Sequence, residues 1–409
     1  MKTSKEWVQN DYVTRVLDHP AEVPADAWAH LLAAEAAQGR DATPFVTPAY
    51  LAALQDSGSA TPATGWALQL VTVWQGSTLC AAAALYVKTH SRGEYVFDWA
   101  WADAYARHGL AYYPKAVVAV PFTPVPGPRL LAVDATARHT LMAALLRVCE
   151  AHQLSSLHLL FAHPADVAAA QAAGLMLRHT VQFHWGNRAP EPYRHFDDFL
   201  ASLSQEKRKK IRQERRKVAD AGVRFRTVEG RAITPQDWDF FYRCYERTYL
   251  EHGNAPYLSR GFFAQLADTQ PDNWVLFVAE TDHPVACSLI ATNAIPSSAG
   301  GQNGLKSSTR VAYGRYWGAL ERVDCLHFEA CYYQPLAWCI ANGFDRFEGG
   351  AQGEHKMARA LLPVQTTSAH WLAHPAFADA VDRYLQREGE SMAQYLSELE
   401  ARSPFKQGG

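Results

Sequence analysis

Pro190 and Pro192 break the chain into two halves that carry the same order of secondary-structure signals, and this repetition restricts the folds open to it. Before the break, residues 25–55 read as Ala-rich helix. Trp28, Leu31, Leu32 and Ala36 fall near a helical period, and Pro44 and Pro48 interrupt it. Strand-like runs follow at 66–74, 79–88 and 95–99, with a hairpin signal at Gln75-Gly76-Ser77. A short apolar strand at 116–121 runs into a segment with too many prolines for regular structure. Residues 137–152 form a helix striped by Leu141, Leu145, Val148 and Cys149, followed by strand 156–161, helix 164–173 and strand 175–185. After the break come a highly charged helix at 198–221, helices at 235–251 and 259–267, and paired strands at 274–280 and 285–292. Strand 309–317, helix 334–342, strands 344–347 and 365–372, and a closing helix at 375–400 complete the order. Two domains, 1–190 and 191–409, each a mixed sheet flanked by helices, give an α/β (α+β) class. A chain of 409 residues is also past the size at which one core usually splits.

Composition excludes several classes. With 48% hydrophobic and 20% charged residues, the chain is ordinary for a globular protein. Thirty-nine basic and 41 acidic residues give a formal charge of −2, so any attraction to nucleic acid or anionic membrane must be local. The segment Met1 to Trp7 has charges with no apolar core behind them, unlike a secretory signal. The longest apolar run, 79–87, is about half a membrane span, so no span and a cytoplasmic location are expected. None of the seven cysteines is spaced C-x-x-C, which favours buried reduced thiols and no metal site.

The element order, present twice, resembles the GNAT (N-acetyltransferase) fold and implies two tandem GNAT-like domains. Within the second half, the segments 326–334, 337–343 and 346–356, the last reading Arg346-Phe347-Glu348-Gly349-Gly350-Ala351-Gln352-Gly353-Glu354-His355-Lys356, resemble the FemAB-like predicted N-acyltransferases. Segments 313–318, with Tyr316, and 253–258 are similar to other signatures of that family, as are 97–105, with Asp98 and Trp99, and 121–129 in the first half. The resemblance implies transfer of an acyl or aminoacyl group to an amine. It also implies acyl-CoA or aminoacyl-tRNA as co-substrate, with no permanently bound cofactor. Pro335 departs from the pattern and leaves open whether the helix begins at Gln334 or runs back through Glu329.

Amine acylation must hold a donor beside the amine, remove a proton and stabilise the carbonyl oxygen. If 326–329 is extended, His327 and Glu329 point to one side and form a proton relay. Pro335 then opens the next helix, whose free amides can hold a phosphate or an oxyanion. The alternative is a buried His–Glu pair holding strand to helix. Glu348 at a strand end is placed like a base. Around it, Gln352, Glu354, His355, Lys356 and Arg359 sit in a glycine-rich stretch that suits donor or substrate binding, the alternative being a loop of solvated charges. The sequence thus nominates Glu329, Glu348 and His327 as catalytic. Asp98, Trp99, Tyr316, Gln352, Glu354, His355, Lys356 and Arg359 are nominated for binding.

Three further stretches have double readings. Residues 125–129 occupy the GNAT donor position, but their prolines lack N–H groups, so a degenerate site is as good a reading as a working one. The aromatics of 97–113 suit either an amine-binding cleft or a core. Residues 206–217 hold eight basic and two acidic residues; a solvated face is favoured over RNA binding. The expected function is an N-acyltransferase moving an acyl group from a thioester donor to a small-molecule or peptide amine. The alternatives are an aminoacyl-tRNA-dependent Fem-type transferase and a non-catalytic binding protein.

Overall fold

The computed structural model describes residues 6–9, 11–40, 43–293, 309–350 and 353–406. The chain forms two compact units, each discontinuous in sequence. One comprises Met1–Thr180 and Gln365–Tyr395, the other Val181–Val364 and Leu396–Gly409.

The first unit holds strands β1 (Glu6–Gln9), β2 (Tyr12–Leu17), β3 (Trp66–Gln75), β4 (Thr78–Lys88), β5 (Lys115–Val118), β6 (Leu131–Ala132) and β7 (Ser156–Leu159). They order as β1-β2-β3-β4-β5-β7, with β6 beside β4. Only β5 and β7 are parallel, with Ala116 opposite Leu157. The helix Ala135–Ala151 starts where Asp134 accepts a 2.8 Å hydrogen bond from the Ala137 amide. Its Leu141, Leu145, Val148 and Cys149 stripe joins Val71, Val73, Leu85 and Val118 in one buried core, as the helical period requires.

Strand β8 (Met176–Gly186) ends in the second unit, which also holds β9 (Arg224–Glu229), β10 (Trp274–Glu280), β11 (Pro284–Thr292), β12 (Val311–Ala319) and β13 (Arg346–Glu348). The order there is β9-β10-β11-β12-β13-β8. The α/β class with GNAT-like element order in both halves holds. The division at residue 190 does not match the observed units. Glu348 of β13 lies opposite His184 of β8, so the end of β8 completes the second sheet. Conversely, β14 (Leu362–Leu372) supplies Ala369 opposite Leu159 of β7 and completes the first. Prolines mark where the chain bends, whereas unit boundaries follow strand pairing, which local composition does not encode.

Two elements differ from their expected form. Residues 95–99 are not a strand: the helix Trp99–Arg107 begins there, favoured by alanines at 100, 102, 104 and 106. Residues 326–329 are helical and not extended. The helix starts at Leu326 and widens into a π-type turn over Glu329–Tyr333 before Gln334–Ala341. That wide turn accommodates Pro335, whose ring would clash with a regular preceding turn. The helix therefore runs back through Glu329, and no free amides open at Pro335. Among the described residues, no helix is long and apolar enough to cross a membrane.

Each unit takes a strand from the far side of Pro190. Fragments 1–190 and 191–409 are therefore each expected to be unfolded alone and to regain structure when mixed, read by circular dichroism and size-exclusion chromatography. A cooperatively melting, monomeric 1–190 fragment would contradict the exchange of strands.

Candidate active site

The second unit contains a cleft of about 280 Å³ where β12 and β13 part. The two strands are parallel only over Val311–Tyr313 and Arg346–Glu348. Beyond that, β12 continues while the other chain turns at Gly349 and Gly350. A Cβ at Gly349 would lie 2.4 Å from Leu361 Cδ2 and 3.1 Å from the Phe183 carbonyl oxygen, so any side chain there would have to displace Leu361 and crowd that carbonyl. On the other side of β12 the register slips: Leu289 faces Tyr316 and Ile290 faces Gly314, leaving Arg315 as a bulge. Arg315 and Tyr316 line the cleft, together with His327, Cys331 and Tyr332 from the helix and with His355 and Lys356.

The lining is neutral to positive. Burial, aided by His355, Arg359 and Lys356 nearby, pushes His327 down to about 4. Burial with Lys356 and Arg359 also lowers His355, so both imidazoles are neutral at pH 7. The same burial lowers Lys356 to about 8; its Nζ donates to the Gly350 carbonyl at 3.0 Å. Burial raises the Tyr332 hydroxyl, which keeps its proton and lies 3.3 Å from His355 Nε2. The Tyr316 hydroxyl is buried among Phe241, Tyr245 and Phe263 and has no hydrogen-bond partner among the described residues.

Of the nominated residues, the cleft brings together His327, Tyr316, His355 and Lys356. It does not include the two glutamates. On a helix, His327 and Glu329 are two positions apart and face different ways. Glu329 turns to Arg215 of the helix Gln205–Asp220, whose Nε donates at 3.1 Å, and accepts from Gln334 Nε2 at 2.7 Å. Burial raises its carboxyl while Arg215 opposes the shift. Glu348 follows Phe347, which lines the cleft, so strand alternation turns it to the other face, where Arg346 meets it at 3.0 Å. Arg359 is buried, donates to Glu214 at 2.8 Å and lies 3.6 Å over the Phe328 ring. Its charge is already matched. Glu354 is exposed and 3.5 Å from Arg402. Gln352 lies outside the described residues. Tyr332 was not nominated; reading 326–334 as a helix would have placed it and Cys331 near His327.

The sequence matches FemAB-like, described as peptidoglycan biosynthesis/recognition, over residues 19–407. The chain belongs to the FemAB-like family. No curated protein matches it in sequence. Solved structures with a similar fold include a conserved protein of unknown function from Bacteroides thetaiotaomicron VPI-5482, at 9% identity and a TM-score of 0.50, covering 87% of this chain and 99% of that one. A tandem GNAT protein from the clavulanic acid biosynthesis pathway is 14% identical with a TM-score of 0.45, over 89% of this chain and 99% of that one. FemX is 10% identical with a TM-score of 0.46, over 78% and 92%. This FemAB-like chain is a transferase.

The first unit of the FemAB-like chain closes the equivalent parting. After β5 the chain returns, and Gly127 donates to the Phe161 carbonyl at 3.0 Å and accepts from His163 at 3.0 Å. The Arg129 amide donates to Asp166, and its Nε donates to the Leu160 carbonyl at 2.9 Å. The degenerate reading of 125–129 is the one this geometry supports. Asp98 and Trp99 also lie in the first unit. Burial would raise the Asp98 carboxyl, but Lys115 and then His158 hold it well below the usual range. Tyr112 donates to the same oxygen at 2.6 Å. Asp98 is thus the partner of an internal lysine, while Trp99 is 45% exposed at the helix start.

Because Glu348 faces away from the cleft, Glu348→Gln should keep turnover within about tenfold of wild type, short of the roughly 10²-fold or more that loss of a general base brings. Steady-state kinetics alongside a melting curve checks this. A larger loss in a normally folded variant would return Glu348 to the chemistry.

Proposed function

We propose that the second-unit cleft transfers an acyl group from a thioester donor of acyl-CoA type to an amine. The supporting observation is the set of proton-handling groups gathered where β12 and β13 part: neutral His327, and Tyr332 hydrogen-bonded to His355, with Lys356 beside them. The amine nitrogen attacks the thioester carbonyl carbon. As the C–N bond forms, His327 takes the proton released from nitrogen. The C–S bond then breaks, Tyr332 gives its proton to the departing thiolate, and the proton held by His327 passes back to Tyr332 by way of His355 or solvent, so that amide and free thiol leave with both groups reset. Lys356 supplies positive charge to oxygen as it becomes anionic. The carboxylate half of the expected relay loses its basis, since both glutamates are paired elsewhere. The family's description supports an amine on a peptide or peptidoglycan precursor as acceptor.

One observation favours the aminoacyl-tRNA reading as a second possibility. On the helix Gln205–Asp220, Lys209, Lys210, Arg212, Arg216 and Lys217 are exposed, while Arg215 of the same helix holds Glu329 on the helix that carries His327. If RNA is the donor carrier, replacing Lys209, Lys210 and Arg216 by Gln should weaken RNA binding and reduce its salt slope. If the face is only solvated, turnover with an acyl-CoA stays at the wild-type level.

Coenzyme A at millimolar concentration should raise the melting temperature by binding the native state. His327→Gln should lower turnover by about 10²-fold or more with the fold intact. Lys356 is charged below its pKa of about 8, so affinity for an anionic donor should fall as pH rises through that value. Lys356→Met should bind more weakly and lose that pH dependence. A thermal shift without turnover on any amine would indicate a binding protein. Wild-type turnover in His327→Gln would refute its role.

A further inference from the structure

The wide turn at Glu329–Tyr333 creates a backbone requirement that one buried side chain answers. In a regular helix each carbonyl accepts from the amide four residues on, and in a widened turn from the amide five residues on. The Gln334 amide donates to the Glu329 carbonyl, five residues back. It is therefore engaged and does not serve the Ala330 carbonyl in the regular way. The next amide in line belongs to Pro335, which has no N–H. A buried carbonyl left without a donor costs stability. Here the Ser288 hydroxyl, from β11, donates to the Ala330 carbonyl at 2.5 Å. Both residues are buried.

This bond reaches the turn from the sheet. Ser288 lies directly opposite Trp317 of β12, and the His327 ring packs on Trp317 at 5.4 Å between centroids. From the helix Gln205–Asp220, Arg215 holds Glu329 and Glu214 accepts from Tyr333. Between these attachments lie Cys331 and Tyr332, the residues of the turn that line the cleft. Successive residues of a helix are about 100° apart around its axis. A turn that tightened by one residue would rotate one end against the other by that amount. His327 and Tyr332 stand on either side of the widening, so their relation to each other depends on it. Tyr332 would then lose its 3.3 Å approach to His355.

We propose that Ser288 is a positioning residue for the cleft: it takes the carbonyl that Pro335 cannot serve, keeps the turn wide and fixes His327 and Tyr332 at the spacing the proton transfers need. This role rests on the acyl-transfer reading proposed above. Although Ser288 lines the cleft, its proton is committed to the backbone, so it acts through the turn and not on the reacting atoms.

The test uses the full-length protein. Ser288→Ala should lower kcat by about 10- to 100-fold, the scale of a roughly 1 Å misplacement, with KM for the amine little changed. His327, held near 4 by burial, should titrate by NMR closer to the ordinary histidine value once its surroundings loosen. Ser288→Cys keeps a weak donor and should fall between wild type and Ser288→Ala. The deciding variant joins Ser288→Ala with Pro335→Ala, which returns an N–H at position 335. It should recover most of kcat and the low His327 titration. Melting curves accompany each variant. Should Ser288→Ala alone fail to fold, recovery of folding in the double variant supports the role and continued unfolding overturns it. Wild-type kcat and titration in a folded Ser288→Ala variant, or a lower melting temperature with neither changed, would overturn it. So would a loss that Pro335→Ala leaves unrepaired in a folded double variant. If the wild-type protein acylates no amine, the transfer reading falls, and the His327 titration in the same variants still decides whether Ser288 holds the turn.

Discussion

A parallel pair of strands that stays together for three residues and then parts is the constraint on which the second unit depends. While β12 and β13 run side by side, their peptide groups satisfy each other. Once they diverge, the wedge between them must be filled by protein or by something bound. In the first unit the counterpart wedge between β5 and β7 is stitched shut by Gly127. In the second it stays open, and the Arg315 bulge and Gly349 shape its walls. One topology therefore yields a structural unit and a unit with a cleft, and the segment following the diverging strands decides which.

One buried and one half-buried ion pair tie the walls of that cleft to a single helix. The helix Gln205–Asp220 turns two neighbouring side chains inward. Arg215 binds Glu329, on the helix that bears His327, while Glu214 binds Arg359, at the end of the turn that bears Lys356. Tyr333 donates to Glu214 as well. Burying charge is costly, and such pairs often contribute little net stability compared with apolar packing. Their geometric effect is clearer: two wall segments are tied to one helix, which sets the spacing between His327 and Lys356. The dense charge of this helix is therefore partly internal architecture and partly solvated surface.

Much of the fold was legible because its boundaries carry chemistry. Pro235–Glu251 reads to the residue, since Thr234 caps it and Pro235 sits where its missing N–H is harmless. Trp274–Glu280 and Pro375–Glu400 read equally well. The exchange of β8 and β14 was not legible, because pairing over long sequence distance leaves no local mark. His327, Tyr316, His355 and Lys356, nominated by residue type and company, all line the second-unit cleft. Glu329 and Glu348 were misplaced for one reason each. The first rests on a helical rather than extended backbone, hidden by Pro335. The second rests on a one-residue alternation that sends Phe347 to the cleft and Glu348 away from it. Asp98 looked like a ligand group because its partner, Lys115, lies seventeen positions away and is fully buried.

Among the described residues no carboxylate lines the cleft, which fits the direction in which charge would move in the proposed transfer. When an amine attacks a thioester, negative charge develops on the carbonyl oxygen and then on sulfur. A carboxylate at close range would oppose both. Neutral imidazoles can take a proton without that penalty, and a tyrosine kept protonated by burial can return one to sulfur. Lys356, lowered but still mainly charged at pH 7, supplies attraction where negative charge appears. Pairing Glu329 with Arg215 and Glu348 with Arg346 does more than satisfy buried carboxylates. Under the proposed acyl transfer, it keeps their negative charge away from the region of the unit where that charge would raise the barrier.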